Sequence, residues 1–328
     1  MSETEEADRL VSILIATKNR RAYLRACLES SRAQTYPRLE ILVSDDGSTD
    51  GTCEMVSEIA LEDRRVRLLT GNPVPGAFGN FGYLLQNAVG EAVAFVGDDD
   101  LLEPVFVERL LGGLAQPGIG LAYGAFGVID ALGERLPDRE QENDAHYAYS
   151  ATHGGPQPDP VMSALRGQVW LGATLYRTTL IRSLGFAAEA GSAADLDVAL
   201  RAAEQAGFWY APERLWYYRD HSATISRDPG MGALTAYIGV LEGRAYVDPA
   251  REELRRRRLK RAYRQAVVAS YAGDPGRARA YARRYRSVGG RTVVEAALVL
   301  LGDLPAPIRT AVLECIRRVR SRAGRAIR

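Results

Sequence analysis

The chain has 328 residues, 46% hydrophobic and 25% charged, a globular composition that excludes collagen-like and wholly disordered classes. No apolar run approaches the ~20 residues needed to cross a bilayer as a helix; the longest, Val293–Leu301, is interrupted by Glu295. The net charge of +1 conceals a split. Residues 251–328 carry 21 Arg and Lys against 6 Asp and Glu, whereas residues 1–250 carry 21 against 35, the pattern of an acidic body followed by a basic tail with its own partner.

Three cysteines, Cys27, Cys53 and Cys315, are odd in number and lack paired spacing, so neither a disulfide framework nor a zinc knuckle is indicated. The acidic start, Met1–Asp8, is wrong for a secretory signal. A cytoplasmic chain is expected.

In chain order, Leu10–Thr17 is a compact, β-branched apolar run and reads as a buried strand. Tyr23, Leu24, Cys27 and Leu28 follow at helical spacing. Strands are predicted at Leu39–Ser44, Val66–Thr70 and Ala92–Val96, with helices at Thr52–Leu61, Asn80–Ala88 and Val105–Ala115. Strands alternating with helices predict a doubly wound, mostly parallel α/β sheet. After Tyr123 the alternation breaks down. Asp138–Pro160, polar and rich in Pro and Gly, reads as a long loop, with His146 and His153 facing solvent. A strand at Trp170–Tyr176, a helix at Asp195–Ala206 and short strands at Phe208–Pro212 and Trp216–Arg219 follow. From about Gly230 the pattern is helical and arginine-rich to the end. The expected division is a catalytic domain over 1–229, with a donor half at 9–130 and an acceptor half at 131–229, then a basic helical region over 230–328.

Ligands of open α/β sheets bind beyond the carboxyl ends of the strands. Thr17, Asp45-Asp46 and Asp98-Asp99-Asp100 each follow directly on a strand, so they should converge on one sheet edge. Asp45–Gly51 also reads as a polar turn in which Thr49 or Asp50 caps the next helix. Three consecutive carboxylates repel one another, and a divalent cation is the usual offset; the alternative is a solvated cap for the helix near Pro104. A hard metal with oxygen ligands generally serves a phosphate.

The series VSILIATKNR, ILVSDDGSTDGT, GEAVAFVGDDDLLEP, LGFAAEAGSAADLDVALR and YRDHSATIS resembles the family-2 glycosyltransferases, nucleotide-sugar enzymes of the GT-A fold. The resemblance covers roughly residues 9–228. It implies a metal-assisted glycosyltransferase using Mn²⁺ or Mg²⁺. Thr17 and Asp45 would contact the nucleobase, Asp45 accepting from an imide N–H, which suits a UDP or dTDP donor. Asp98 would meet the ribose or a metal-bound water and Asp99 the metal, while Asp100 aligns with a neighbouring acidic position. Asp195 would be the general base of a single displacement with inversion, with Asp197 the fallback. His221 matches a histidine that contacts the metal or diphosphate, or is a structural residue at a strand end; Arg219 pairs with phosphate or with a surface acid. Trp170 matches the acceptor side or is core. This chain departs from the family at Gly79, where an arginine often stands, at Gly97, and at Ala194 in place of a second acid.

Two competitors use related parts: a sugar-phosphate nucleotidyltransferase and a non-catalytic sugar-nucleotide binder. Ala16–Arg21 lacks the glycine of the first; retention of Asp45, Asp98, Asp99 and Asp195 argues against the second. The acceptor class is a glycan, a lipid-linked sugar or a small molecule. In the basic tail, Arg255–Arg258 with Lys260-Arg261 is a dense cluster, and Ile308, Val312, Ile316 and Val319 form an apolar stripe among arginines. That pattern suits either peripheral contact with the anionic inner face of a membrane or a helical bundle with a solvated arginine face. No nucleic-acid partner is expected, because stacking aromatics are not organised for it.

Overall fold

A computed structural model describes residues 9–221, 230–270 and 274–290, and the chain divides into two compact units, Met1–Arg227 and Asp228–Arg328. In the first unit, β1 (Val11–Thr17) leads to α1 (Arg21–Arg32), β2 (Leu39–Asp45), α2 (Thr52–Glu62), β3 (Val66–Leu69), α3 (Ala77–Asn87) and β4 (Ala92–Gly97). There follow β5 (Leu101–Leu102), α4 (Phe106–Leu114), β6 (Ile119–Ile129), α5 (Pro137–Tyr147), β7 (Gly155–Pro156) and α6 (Pro160–Arg166). The unit closes with β8 (Thr174–Arg177), α7 (Thr178–Leu184), α8 (Ala194–Ala203) and β9 (Gly207–Arg219). The strands form one sheet in the order β3-β2-β1-β4-β8-β6-β9-β5, with β7 on β9. Pairings among β1–β4 and between β6 and β9 are parallel, whereas β8 runs against both its neighbours. The sheet is the expected mostly parallel α/β type.

The central strands carry no alternation because both of their faces are covered. Val11, Ile13, Leu14, Ile15, Ile41, Leu42, Val43 and Val93–Val96 are almost wholly buried. Fully burying such a side chain stabilises the fold by ~1.5–3 kcal/mol. The amino edge of the sheet is closed by buried Glu40, which accepts from Ser12 Oγ (2.5 Å) and from the N–H groups of Val89 (2.6 Å) and Gly90 (3.2 Å). That carboxylate is occupied by the scaffold; those at the carboxyl edge form the site.

Three sequence expectations are corrected here. The breakdown of alternation after Tyr123 conceals β6, eleven residues long and buried throughout. Its glycines at 120, 124 and 127 lower strand propensity but meet neighbours closely: a Cβ on Gly127 would lie 2.4 Å from the Tyr217 ring. The loop expected over Asp138–Pro160 instead contains α5, a short 3₁₀ turn at Tyr149–Ala151 and β7. The polar helix α5 lacks an apolar stripe, which hid it. It starts at Pro137 with Asp138 and Glu140 in its first turn, favourable residues at a helix N-terminus. Buried Glu140 ties it down, accepting from Arg135 Nη2 (2.6 Å) and Val128 N (3.2 Å) and pairing with Arg214 at 3.2 Å. Finally, Trp170–Tyr176 is a 3₁₀ turn (Leu171–Ala173) followed by β8, and the two short strands near the end are one strand, β9, with its register broken between Ala211 and Arg214.

The second unit holds α9 (Gly230–Glu242), α10 (Pro249–Ser270) and α11 (Pro275–Ser287). α10 packs on both others through Leu259, Ala262, Tyr263, Ala266 and Val267. Tyr263 Oη donates to Glu242 at 2.5 Å, and Arg284 pairs with the same carboxylate at 3.2 Å. Arg255 and Arg256 pair with Glu252. The stripe at Ile308–Val319 and the run Val293–Leu301 lie outside the described residues.

Candidate active site

Strand register dictates the first contacts. Thr17 stands opposite Asp45 across β1 and β2, and Ala16 opposite Gly97 across β1 and β4, so Asp98 emerges beside Thr17. Thr17 Oγ1 donates to Asp98 Oδ2 at 2.8 Å. The loops after β1 and β2 are stitched together. Asn19 N donates to Ser48 Oγ (2.7 Å), Thr49 N to Asn19 Oδ1 (2.7 Å), and Arg21 N, at the start of α1, to Asp50 Oδ2 (3.1 Å). Asp50 also accepts from Thr52 N at 3.2 Å, so it serves both helix starts. Asp45 Oδ2 accepts from Gly47 N (2.9 Å) and Ser48 N (2.8 Å), and Oδ1 from Ser48 Oγ. The Cys53 thiol also hydrogen-bonds this carboxylate; burial, and then that bond, push the thiol up to about 11.

The acidic turn separates its three carboxyls. Burial first, and then neighbouring Asp99, push Asp98 up to about 6. Asp99 Oδ2 accepts from Arg20 Nη1 at 2.5 Å and lies 3.0 Å from His221 Nε2; Arg20 Nη1 is 3.1 Å from that nitrogen. Arg20 Nε lies 3.9 Å from Asp98. Asp100 faces inward, 5% exposed, and its Oδ1 accepts from Arg219 N at 3.0 Å. Burial and Asp99 hold its carboxyl well above the usual range. Gly97 makes room for this turn: a Cβ there would sit 2.6 Å from Asp100 Oδ2.

Asp195 lies apart from this cluster, in the first turn of α8. It keeps part of its surface accessible, yet burial pushes its carboxyl up to about 6 against the N–H of Leu171. Asp197 is buried and paired with Arg201 at 2.7 Å, whose guanidinium also donates to Gly185 O at 2.9 Å. Asp197 therefore staples α8 to the end of α7. Trp170 directly precedes Leu171, is partly exposed, and contacts Phe126, Tyr147 and Trp216 with ring centroids 5.2, 5.7 and 6.5 Å apart. Its Nε1 is buried with no hydrogen-bond partner among the described residues.

Two arginines lie at the acidic turn. Arg219 is buried, and its Nε and Nη1 donate to the carbonyls of Asp99 (2.6 Å), Asp130 (3.1 Å) and Ala131 (3.3 Å). Arg20 was not singled out, because its side chain reaches the acidic turn only once β1 and β4 are neighbours. His146 and His153 are exposed. Asn80, beside the substituted Gly79, is buried and joins Ser44 Oγ (2.5 Å) to Gly76 O (2.9 Å).

Among the described residues no group of three or more His, Cys, Asp and Glu side chains could hold a metal alone. Asp99 Oδ2 and His221 Nε2 nonetheless face one point, where Arg20 Nη1 now stands 2.5 and 3.1 Å from them, so a cation bound there would displace that guanidinium nitrogen. One or two protein ligands completed by substrate phosphates is the usual arrangement for magnesium, so the donor set fits a divalent cation that arrives with a diphosphate.

Residues 12–163 match the profile described as glycosyl transferase family 2. That segment, just under half of the chain, is similar to the family. Asp195 and His221 fall beyond the matched segment. Among curated relatives, the UDP-Glc:α-D-GlcNAc-diphosphoundecaprenol β-1,3-glucosyltransferase WfgD of Escherichia coli is 33% identical over 123 residues, 38% of this chain and 48% of that protein. The chain spans about half or less of the length of the curated relatives it matches. Among solved structures, S. aureus TarS with UDP-GlcNAc aligns with a TM-score of 0.62 at 16% identity, covering 85% of this chain and 81% of that one. The mannosyltransferase PcManGT from Pyrobaculum calidifontis, with GDP-Man and Mn²⁺, aligns with a TM-score of 0.57 at 18% identity, covering 92% and 82%. These alignments show that the chain has the GT-A fold.

Proposed function

We propose that the chain is a metal-assisted glycosyltransferase that moves a sugar from a nucleoside-diphosphate sugar, UDP or dTDP favoured, to an acceptor hydroxyl with inversion. The observation that carries this reading is the division of the carboxylates. Asp98 and Asp99 stand with Thr17, Arg20 and His221 at the carboxyl edge of the sheet, while Asp195 stands apart beside Leu171. Related proteins named for UDP-Glc, or solved with UDP-GlcNAc or GDP-Man and Mn²⁺, support the donor class and the metal.

In this reading Asp45 accepts the imide N–H of the base, beside Thr17. Asp98 accepts from a ribose hydroxyl. Asp99 and His221 would hold the cation, which when bound would offset the charge on the departing nucleoside diphosphate. Arg20, already at the acidic turn, adds a fixed positive charge facing the same anion. Asp195 takes the acceptor hydroxyl's proton as the oxygen attacks the anomeric carbon. Its raised pKa brings a carboxylate closer to the basicity that proton transfer near neutral pH requires. Trp170 lines the acceptor side, where an indole can stack on an apolar sugar face.

The test compares UDP, dTDP, GDP and ADP by calorimetry, with and without Mn²⁺, on the wild type and Asp99→Asn, alongside donor turnover. Metal-dependent binding of one nucleotide that Asp99→Asn weakens is expected. Binding of none, or binding indifferent to Asp99, would remove the reading.

The acceptor we favour is lipid-linked, as the name of the E. coli relative describes for that protein, with the chain peripheral on the cytoplasmic face of a membrane. No helix of the described residues is long and apolar enough to cross one. Arg257, Arg261 and Arg264, spaced i, i+4 and i+7, lie exposed on α10, a row suited to anionic lipid at ~1 kcal/mol per residue near the surface.

A further inference from the structure

We infer that Arg219 is a positioning residue that sets the distance between Asp99 and His221; the inference rests on the reading of those two as the metal–diphosphate pair. They come from separate segments, the turn after β4 and the end of β9. What locks the segments is a reciprocal clamp. The Arg219 guanidinium donates from Nε to the Asp99 carbonyl at 2.6 Å, while the Asp100 carboxylate accepts the Arg219 main-chain N–H at 3.0 Å. Arg219 precedes His221 by two residues, so holding Asp99 by its carbonyl sets the carboxylate against the imidazole.

The same guanidinium fixes two further neighbours. Nη1 donates to Asp130 O and Ala131 O at 3.1 and 3.3 Å, which holds the turn after β6. Its Cζ lies 5.1 Å from the Tyr23 ring centroid, and the Tyr23 and His221 ring centroids are 4.9 Å apart. His221 is thus held along its strand by the clamp and across its ring face by Tyr23. A planar fork serves these fixed directions at once; an ammonium on a flexible stem does not. Arg219 is 3% exposed, so it acts through Asp99 and His221 and not on substrate.

The test uses the full chain with Mn²⁺ and UDP as probes, measuring UDP affinity by calorimetry with and without Mn²⁺, and the bound-Mn²⁺ electron paramagnetic resonance spectrum. Arg219→Lys should lose the Mn²⁺-dependent gain in UDP affinity by about tenfold or more, while metal-free UDP binding at Thr17 and Asp45 holds. Arg177→Lys is the matched control, since Arg177 also donates to carbonyls, of Ile119 and Leu114, away from the acidic turn; it should lower the melting temperature but leave the metal-dependent gain intact. Millimolar guanidinium should restore the gain to Arg219→Ala. If Arg219 variants do not fold, Tyr23→Leu should show a smaller loss of the same metal-dependent gain. A normal gain and spectrum in Arg219→Lys, or in Tyr23→Leu where Arg219 variants fail to fold, overturns the inference. Should Asp99→Asn also bind Mn²⁺ and UDP normally, the underlying reading fails instead.

Discussion

Asp99 Oδ2 lies 3.0 Å from His221 Nε2 although 122 positions separate them in sequence. The contact arises because the chain leaves β4 at Gly97, turns through Asp98–Asp100, and then pairs Leu101 with Tyr217 of β9. β4 and β9 are not neighbours in the sheet, so the acidic turn bridges strands from its two halves. A carboxylate and an imidazole that face each other across that bridge can be closed by one cation and the diphosphate it accompanies.

Removing either member should therefore affect the nucleotide only when metal is present. His221→Ala is expected to reduce UDP affinity in millimolar Mn²⁺ by about tenfold or more, equivalent to ~1.4 kcal/mol, with metal-free affinity little changed. Titration calorimetry in the two buffers checks this.

Asp195→Asn keeps the size of the side chain and removes its basicity. Turnover should fall by ~10²–10⁴-fold, the range for a lost general base, while UDP affinity in Mn²⁺ stays at the wild-type value. Transfer at the normal rate would show that another group takes the proton.

The pH dependence follows from the same carboxyl. With Asp195 pushed up to about 6, the base form is depleted below that pH, so kcat/KM should drop tenfold per unit below about 6 and level off above. The stability sign is opposite to that of a salt-bridged acid. Between about 4 and 6 the folded protein holds more protons at this site than the unfolded chain, so this contribution to stability declines as pH rises through that window and is level above it. Urea midpoints across pH 4–7 should show a shallower decline in Asp195→Asn.

Gly127→Ala tests the packing of β6 on β9. The added methyl would stand 2.4 Å from the half-buried Tyr217 ring and 2.8 Å from Oε1 of buried Glu140 on α5. A loss of ~1–3 kcal/mol is expected for such overpacking, read as a lower urea midpoint.

Arg257→Glu with Arg261→Glu should weaken sedimentation with phosphatidylglycerol vesicles and leave the marginal binding to phosphatidylcholine vesicles unaltered. Equal binding of variant and wild type to both would remove the membrane role of this helix face.

The sheet from β1 to β4 and the helices between its strands were legible in the chain because each strand is a mostly apolar run followed by polar or glycine-containing turn residues. The same stops placed Thr17, Asp45, Asp98 and Asp99 at one edge, since parallel strands end their runs on the same side. Asp195, Asp197 and His221 were nameable only through the family resemblance, and their geometry was not. β6 and α5 were hidden because one carries three glycines and the other no apolar stripe; what stabilises them is the fit of Gly127 to Tyr217 and the pairing of Glu140 with Arg135 and Arg214.

By itself, then, the sequence determined the fold class, the acidic edge and the separation of a basic tail, all of which depend on local pattern and on composition. Tertiary structure alone decided which carboxylates are available. Asp197 is consumed by Arg201 and Asp100 by the Arg219 main chain, whereas Asp99 meets Arg20 and His221. Side-chain identity does not distinguish these aspartates. Their partners come from strands and helices far away in the chain, and it is the partner that decides whether a carboxylate holds the scaffold together or faces a ligand.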